Sequence, residues 1–482
     1  MSNPLPPSQS LFSTPWSATG ASMESVNWGR WGHIAGDFSG KDGTGRSLSL
    51  LSPWDGAPMF EVRASNADPA AFIERARDAS SRWQALAGAT RACHLLDVAR
   101  LLDDERAELS RLESASTGVP VRVTGANSVA VGVDAWRWNA GWADKAKWAF
   151  DGRPVQPAGT VLISTGCDAP VAVTLCTAAG ALAAGNAVIL EPDFRCPFAA
   201  VQLQQACRAA GLPDALVSIW LADQPFVRPA STALPDRWLR IGLPRLGTAS
   251  PALPFGCLHE LTAAATAFVV DENAALREAA ASIVHAALTR RGLVPHGGNR
   301  VLVQESVEAS FVRLLQEQMR LLHVGHPLDR LSDVGTMMTS EDAAAAEHLV
   351  LDSQRRGALV WRPEVAGRSG SVVAPALVWG VESASPILHT SCGGPLLPVQ
   401  TWRTLDEAID MANSHDRTGA AAVFSESWRT VTALSQALTM DVFCNVAPSF
   451  DGSRSRGGGR SCGGLRLGGR AGLQPMVATE VP

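Results

Sequence analysis

The stretch TVLISTGCDAPVAVTLCTAAGALAAGNAVIL, residues 160–190, decides how the chain folds. It opens on a short apolar run (Val161, Leu162, Ile163), passes a loop at 164–170, continues as small and apolar residues over 171–184, and ends in a second apolar run at 187–190. Runs this short read as strands buried on both faces, and the longer stretch between them as the crossover helix of a parallel sheet. The alternation continues outward, with a predicted helix at 199–210, a strand at 216–220 and another ending at Ile241. An open doubly wound α/β layer is the expected result. The segment 171–190 is also the longest candidate for a membrane span, yet Thr174, Cys176, Thr177, Gly180, Gly185 and Asn186 interrupt it, so no span is expected.

Upstream, apolar residues at helical spacing (Phe72, Ile73, Ala76, Ala79; Leu95, Leu96, Ala99, Leu102) predict helices over 67–83 and 89–116, after a Gly/Ser-rich hairpin region. Downstream, a Pro/Gly-rich stretch at 244–256 precedes a second α/β block. Its predicted strands lie at 267–270, 300–304, 420–424 and 442–446, and its predicted helices at 272–288, 307–321, 341–355, 405–413 and 429–438. A Pro-interrupted run at 372–378 reads as a further strand. The expected division is a first α/β domain over 1–246, a second over 247–446, and a tail over 447–482 whose Gly and Arg content between 453 and 472 is that of a loop.

Composition limits the chemistry. The chain has 482 residues, 41 basic and 46 acidic side chains for a net charge of −5, 15 Trp and no Tyr. Its length implies two or three domains with ample core. The missing Tyr removes every mechanism that needs a phenolic acid, and the mildly acidic balance argues against a general phosphate-backbone binder. The N-terminus has no basic residue before an apolar stretch and does not read as a secretory signal. The nine Cys show no C-x-x-C pair, so neither a zinc site nor a disulfide framework is expected, and reduced cytoplasmic thiols are.

Several segments, in this order, resemble the aldehyde dehydrogenase superfamily. Residues 66–83 resemble its first helix. Ala181-Leu-Ala-Ala-Gly-Asn186 with Val188-Ile-Leu190 resembles the strand that carries the cofactor lysine, and Ala210-Gly-Leu-Pro213 a frequent turn. Asn299-Arg300 with Val301-Leu-Val-Gln-Glu-Ser306, then Leu322-His-Val-Gly-His-Pro-Leu-Asp329 and Asp333-Val-Gly335, resembles the region after the nucleophile. Gly394-Pro395 with Leu405-Asp-Glu-Ala-Ile409 and Ala412-Asn413 resembles the segment after the second cofactor glutamate. The resemblance implies an aldehyde dehydrogenase-like fold of two doubly wound α/β domains, with 1–246 cofactor-binding-like, 247–446 catalytic-like, and a short β-arm at about 143–162 for oligomerisation. It also implies a chemistry in which a cysteine thiolate attacks an aldehyde, backbone and asparagine N–H groups hold the oxyanion, hydride passes to NAD and a glutamate activates water.

Residue by residue, the resemblance meets substitutions. Counting from Gly292 and from Arg300 places Pro295 at the nucleophile position, and no Cys lies between Cys257 and Cys392. Proline also lacks the N–H that serves the oxyanion. His296 is the one reactive side chain of that loop, with a surface or locally bonded histidine the expected reading. The oxyanion asparagine is Asp168, preceded by Cys167, and an acceptor stands where a donor belongs. Asp168 is read either as a general base or as the cap of the following helix, the cap being the expectation.

The cofactor lysine is Glu191, which inverts the charge, although a carboxylate can take ribose hydroxyls. The pyrophosphate turn reads Gly242-Leu-Pro-Arg-Leu-Gly247, keeping both glycines and losing the hydroxyls. The second cofactor glutamate is Ser391, and Glu260 is a retained glutamate, either a base or a residue kept for local hydrogen bonds. The expectation is therefore a pseudoenzyme that binds no cofactor or metal and serves as a structural or regulatory subunit. The alternative is an active NAD(P)-dependent oxidoreductase acting on aldehydes through another thiol, Cys167 or Cys392. Expected partners are a second copy, with a dimer favoured by the short arm, or an intact aldehyde dehydrogenase in a hetero-oligomer. The Arg/Gly tail is expected to be a solvated loop over that partner and not a nucleic-acid site.

Overall fold

The structure is a computed structural model that describes residues 34–35, 47–65, 69–148, 150, 154–221, 234–242, 258–261, 265–289, 298–365, 370–390, 393–414, 418–448, 456–457 and 466–478. Strands β1 (Ile34–Ala35), β2 (Ser47–Leu51) and β3 (Pro58–Arg63) form a small sheet. Helices α1 (Pro69–Gln84), α2 (Gly88–Asp104), α3 (Arg106–Thr117), α4 (Val121–Thr124) and α5 (Ala130–Ala140) follow. The helix predicted over 89–116 is thus two helices that break at Glu105, beside Asp103, which accepts from both Arg106 and Arg137.

Next come β4 (Gln156–Pro157), β5 (Thr160–Thr165), α6 (Pro170–Ala183), β6 (Ala187–Pro192), α7 (Phe198–Ala209), β7 (Val217–Ile219), β8 (Arg237–Ile241) and β9 (Leu258–Leu261). The last five strands, β5 to β9, make one parallel sheet in the order β7-β6-β5-β8-β9. Every residue of α6 is buried, which explains an apolar helix with no polar face: it lies between the sheet and its neighbours α5 and α7. The quoted motif at the end of α6 has a physical cause. Gly185 adopts φ +101, and a Cβ there would lie 2.9 Å from Pro157. Asn186, fully buried, accepts from Gly159 N–H and donates to the carbonyls of Ala181 and Met476, joining helix, strand and C-terminus.

The second block contains β10 (Ala265–Val270), α8 (Leu276–Leu288), β11 (Gly298–Gln304), α9 (Glu308–Arg320), α10 (Ser340–Arg355), β12 (Leu359–Trp361), β13 (Ala376–Trp379), α11 (Pro386–His389), β14 (Leu396–Trp402), α12 (Leu405–Asn413), β15 (Thr418–Phe424), α13 (Trp428–Ala437) and β16 (Asp441–Cys444). Its seven-stranded sheet runs β12-β13-β14-β11-β10-β15-β16, parallel except for β12. Separate apolar clusters cover its faces, one under α8 and α9 and one under α12 and α13. The two doubly wound layers are those expected from the sequence.

Three boundaries move. The first sheet continues to Leu261, because β9 pairs with β8 in the register Trp238↔Leu258, so its last strand falls beyond the expected limit at 246. The β-arm ends before Thr160, where β5 already belongs to the first sheet; its described strand is β4. β4 pairs with β19 (Val477–Ala478) of the same chain. The end of the tail is not a solvated loop: after β17 (Arg456–Gly457) and β18 (Arg466–Leu467), a 3-10 helix at Arg470–Met476 buries Leu473 and Met476 against the first domain. Among the described residues, no helix is long and apolar enough to cross a membrane.

Candidate functional site

The chain leaves β5 toward β6 and β7 on one side and toward β8 and β9 on the other. Such a reversal opens a crevice at the carboxyl ends of the strands, the usual ligand position in open α/β sheets. Four polar residues stand in one lateral row at that edge, since the register aligns Glu191 with Ser164, Ser164 with Arg240, and Arg240 with Glu260. Ser164 Oγ donates to Glu191 Oε2. Trp238 Nε1 donates to Ser164 Oγ at 2.7 Å. The Arg240 guanidinium lies 5.4 Å from the centre of the Trp238 ring and donates from Nη1 to Glu260 Oε1 at 2.7 Å. Charge buried in a sheet needs a partner, and this row supplies one for each end.

Glu260, the retained glutamate, is therefore engaged with a guanidinium from the neighbouring strand. Glu191 is buried at the end of β6, its orientation set by Ser164. Gly242 follows β8 with φ +61, a backbone state that favours glycine, and a Cβ there would lie 3.4 Å from the Cβ of Asp168. Gly242, just after β8, and the loop after β5 thus meet at Asp168. The expectation that Asp168 caps α6 is corrected: the helix begins at Pro170, its N-cap is Ala169 at φ +48, and no side chain of that residue caps it. The cap comes from elsewhere. Ser128 Oγ, in a π-helical turn at Gly125–Val129, accepts from Ala172 N–H at 3.0 Å and donates to buried Glu113 at 2.8 Å.

Cys167 sits in the same loop but is buried, with Cys196, Asp193 and Arg195 around it. Burial pushes its thiol well up from the ordinary cysteine range, and the Cys196 thiol and the Asp193 carboxylate add to that. Asp193 is itself held low by Arg195, which donates from Nε at 2.9 Å and from Nη2 at 2.7 Å. A thiol kept protonated in this way is a poor nucleophile. Pro295, His296, Gly247, Ser391 and Cys392 lie outside the described residues. Among the described residues, no group of His, Cys, Asp and Glu is arranged to hold a metal ion.

Sequence reasoning did not find Ser164, Trp238, Arg240, Ser128 or Glu113. One signal was present: an arginine inside the apolar strand Arg237-Trp-Leu-Arg-Ile241 requires a buried acceptor nearby.

The sequence profile of the aldehyde dehydrogenase family matches residues 40–230 and 257–481. The chain belongs to that family. It is 25% identical over 444 residues to the NADP/NAD-dependent aldehyde dehydrogenase PuuC of Escherichia coli, covering 86% of this chain and 88% of the relative. It is 27% identical over 485 residues to the non-phosphorylating aspartate-semialdehyde dehydrogenase of Halomonas elongata, covering 94% and 93%. Its fold matches the NAD-dependent aldehyde dehydrogenase of Sinorhizobium meliloti with a TM-score of 0.83 at 22% identity, covering 92% of each chain. It also matches the betaine aldehyde dehydrogenase of Staphylococcus aureus in complex with NAD+, with a TM-score of 0.81 at 20% identity over 90% of each chain. With relatives that use NAD(P) and a neighbour that holds NAD+, the expectation that the crevice takes no cofactor has no support.

Proposed function

We propose that this aldehyde dehydrogenase-family chain keeps the fold without the covalent aldehyde chemistry and serves as a structural or regulatory subunit, as a homo-oligomer, with a dimer favoured, or beside an intact relative. The observation that carries the reading is the absence of any thiol between Cys257 and Cys392, with Pro295 at the counted nucleophile position. Three further observations support it. Cys167, the alternative thiol in the loop after β5, is buried and protonated. Asp168 offers an acceptor where an oxyanion needs a donor. Glu260, held by Arg240, serves the sheet and not a hydrolytic water. The described cysteines form no disulfide, which fits a reducing compartment such as the cytoplasm. The test is reduction of NAD+ and NADP+ by the purified chain across a panel of aldehydes, with light scattering for its oligomeric state. No aldehyde-dependent reduction and a stable oligomer are expected. Saturable, thiol-dependent reduction, through Cys392 for example, would overturn the reading, and a monomer that retains no partner would overturn the subunit role.

A further inference from the structure

The loop after β5 and the turn after β6 are laced together where the two strands end. The register sets Thr165 beside Pro192, and Asp193 N–H donates to the Thr165 carbonyl at 2.9 Å. Past that point one chain runs on to Cys167, while the other turns back at once, Cys196 N–H donating to the Asp193 carbonyl at 2.9 Å. Cys167 and Cys196 come from separate loops, yet both are free and buried and their thiols are neighbours. Cys207 gives the contrast: it is equally buried, and burial alone pushes its thiol up. Asp193 and Arg195 complete the cluster, and the Arg195 side chain reaches the surface, so the two thiols lie one side chain below solvent. Two thiols already held side by side by the backbone can be joined without unfolding either loop.

We propose that Cys167 and Cys196 form a reversible disulfide clasp across the carboxyl edge of β5 and β6, closed by a hydroperoxide and opened by a dithiol reductant. One sulfur, as its thiolate, attacks a peroxide oxygen; the O–O bond breaks, a sulfenic acid forms, and the released hydroxide takes the thiol proton and leaves as water. The second sulfur attacks the sulfenic sulfur, the S–S bond forms, and a second water leaves. Two thiols and one hydrogen peroxide thus become one disulfide and two waters, with two electrons passing from sulfur to oxygen. Burial opposes the thiolate that starts the step and Arg195 favours it, so closure is slow and needs sustained oxidant. Once closed, the clasp fixes the loop from which α6 starts. It stands apart from aldehyde turnover, and its test needs no cofactor or substrate.

The test treats the folded full chain with excess hydrogen peroxide, removes the oxidant with catalase, blocks the remaining thiols with N-ethylmaleimide in urea, and maps the unreduced peptides by mass spectrometry. A Cys167–Cys196 link is expected, lighter than the two thiols by two hydrogens and lost on treatment with dithiothreitol. The closed chain is expected to melt roughly 5 °C higher than the open one, since the link restricts the unfolded chain. Amide exchange in the loop after β5 is expected to slow on oxidation and recover on reduction. In Cys196→Ser, checked for folding by circular dichroism, the link, the melting shift and the change in exchange should all be lost. Sulfinic acid at either cysteine without a link, a link from either to a different cysteine, thiols left unchanged, or the same melting shift in folded Cys196→Ser would overturn the proposal. Should that variant fail to fold, the peptide map of the unaltered chain decides.

Discussion

Glu260→Ala is expected to destabilise the first sheet more than Arg240→Met, although both remove the same 2.7 Å ion pair. The two side chains differ in exposure, 8% for Arg240 and 36% for Glu260. Removing one partner of a fully buried pair costs about 3–5 kcal/mol, because the survivor is left charged in a poor solvent. The guanidinium that survives Glu260→Ala is near that limit, at about 3 kcal/mol. The carboxylate that survives Arg240→Met is more than a third exposed and rehydrates, which cuts the cost to about 1 kcal/mol. The new methionine also keeps an apolar cover over the Trp238 ring, where the guanidinium lay at 5.4 Å. The double variant removes both charges and is expected to cost about 1–2 kcal/mol, well below the sum of the singles, for a coupling of about 2 kcal/mol. Urea unfolding followed by tryptophan fluorescence reads this as midpoint shifts at constant slope. An Arg240→Met cost equal to or above that of Glu260→Ala, or an additive double variant, would refute the argument.

Alkylation should separate the thiols: with its pKa raised by burial, Cys167 is expected to resist iodoacetamide at pH 8 in the folded chain, while exposed Cys93 and Cys444 react, as mapped by mass spectrometry. Labelling of Cys167 at the rate of Cys93 would contradict its placement. Ser128→Ala removes the acceptor for Ala172 N–H and a donor to Glu113, at an expected cost of about 1–2 kcal/mol, with faster amide exchange confined to the start of α6. Unchanged exchange there would rule out the cap. His326 has its pKa lowered by burial, against the smaller opposing pull of Asp55 and Asp329. Its unfolded form then binds protons more readily than its folded form. Its contribution is present above the unfolded value of about 6.5 and is lost as pH falls through the lower folded one. His326→Gln should therefore flatten the fall in melting temperature below about pH 6.5, and an identical pH profile would contradict the assignment.

What the sequence made legible is what local spacing encodes. The alternation of short apolar runs and helical stretches located β5, α6 and β6, and the Ala181–Asn186 run stood out because Gly185 and Asn186 meet fixed backbone demands. The break at Glu105 was hidden because the apolar spacing of α2 continues into α3, while the ion pairs of Asp103 come partly from Arg137 on α5. The cap of α6 was misplaced for the same reason: Asp168 is adjacent in sequence, but Ser128 reaches Ala172 through the packing of one helix on another. The row from Glu191 to Glu260 is set by the lateral register of four strands, and no spacing along the chain records register between β6 and β8. The reach of the first sheet past 246 was hidden because β9 joins it through its lateral register with β8, which local composition does not record.

The central claim is that the family fold persists here without a working nucleophile. Its most direct measurement is the intact mass of the full chain after incubation with NAD+ and a reactive aldehyde, followed by acid quench, together with the absorbance of reduced nicotinamide. The account predicts an unmodified mass and no rise in absorbance. A thiol adduct with accompanying reduction of NAD+ would contradict it.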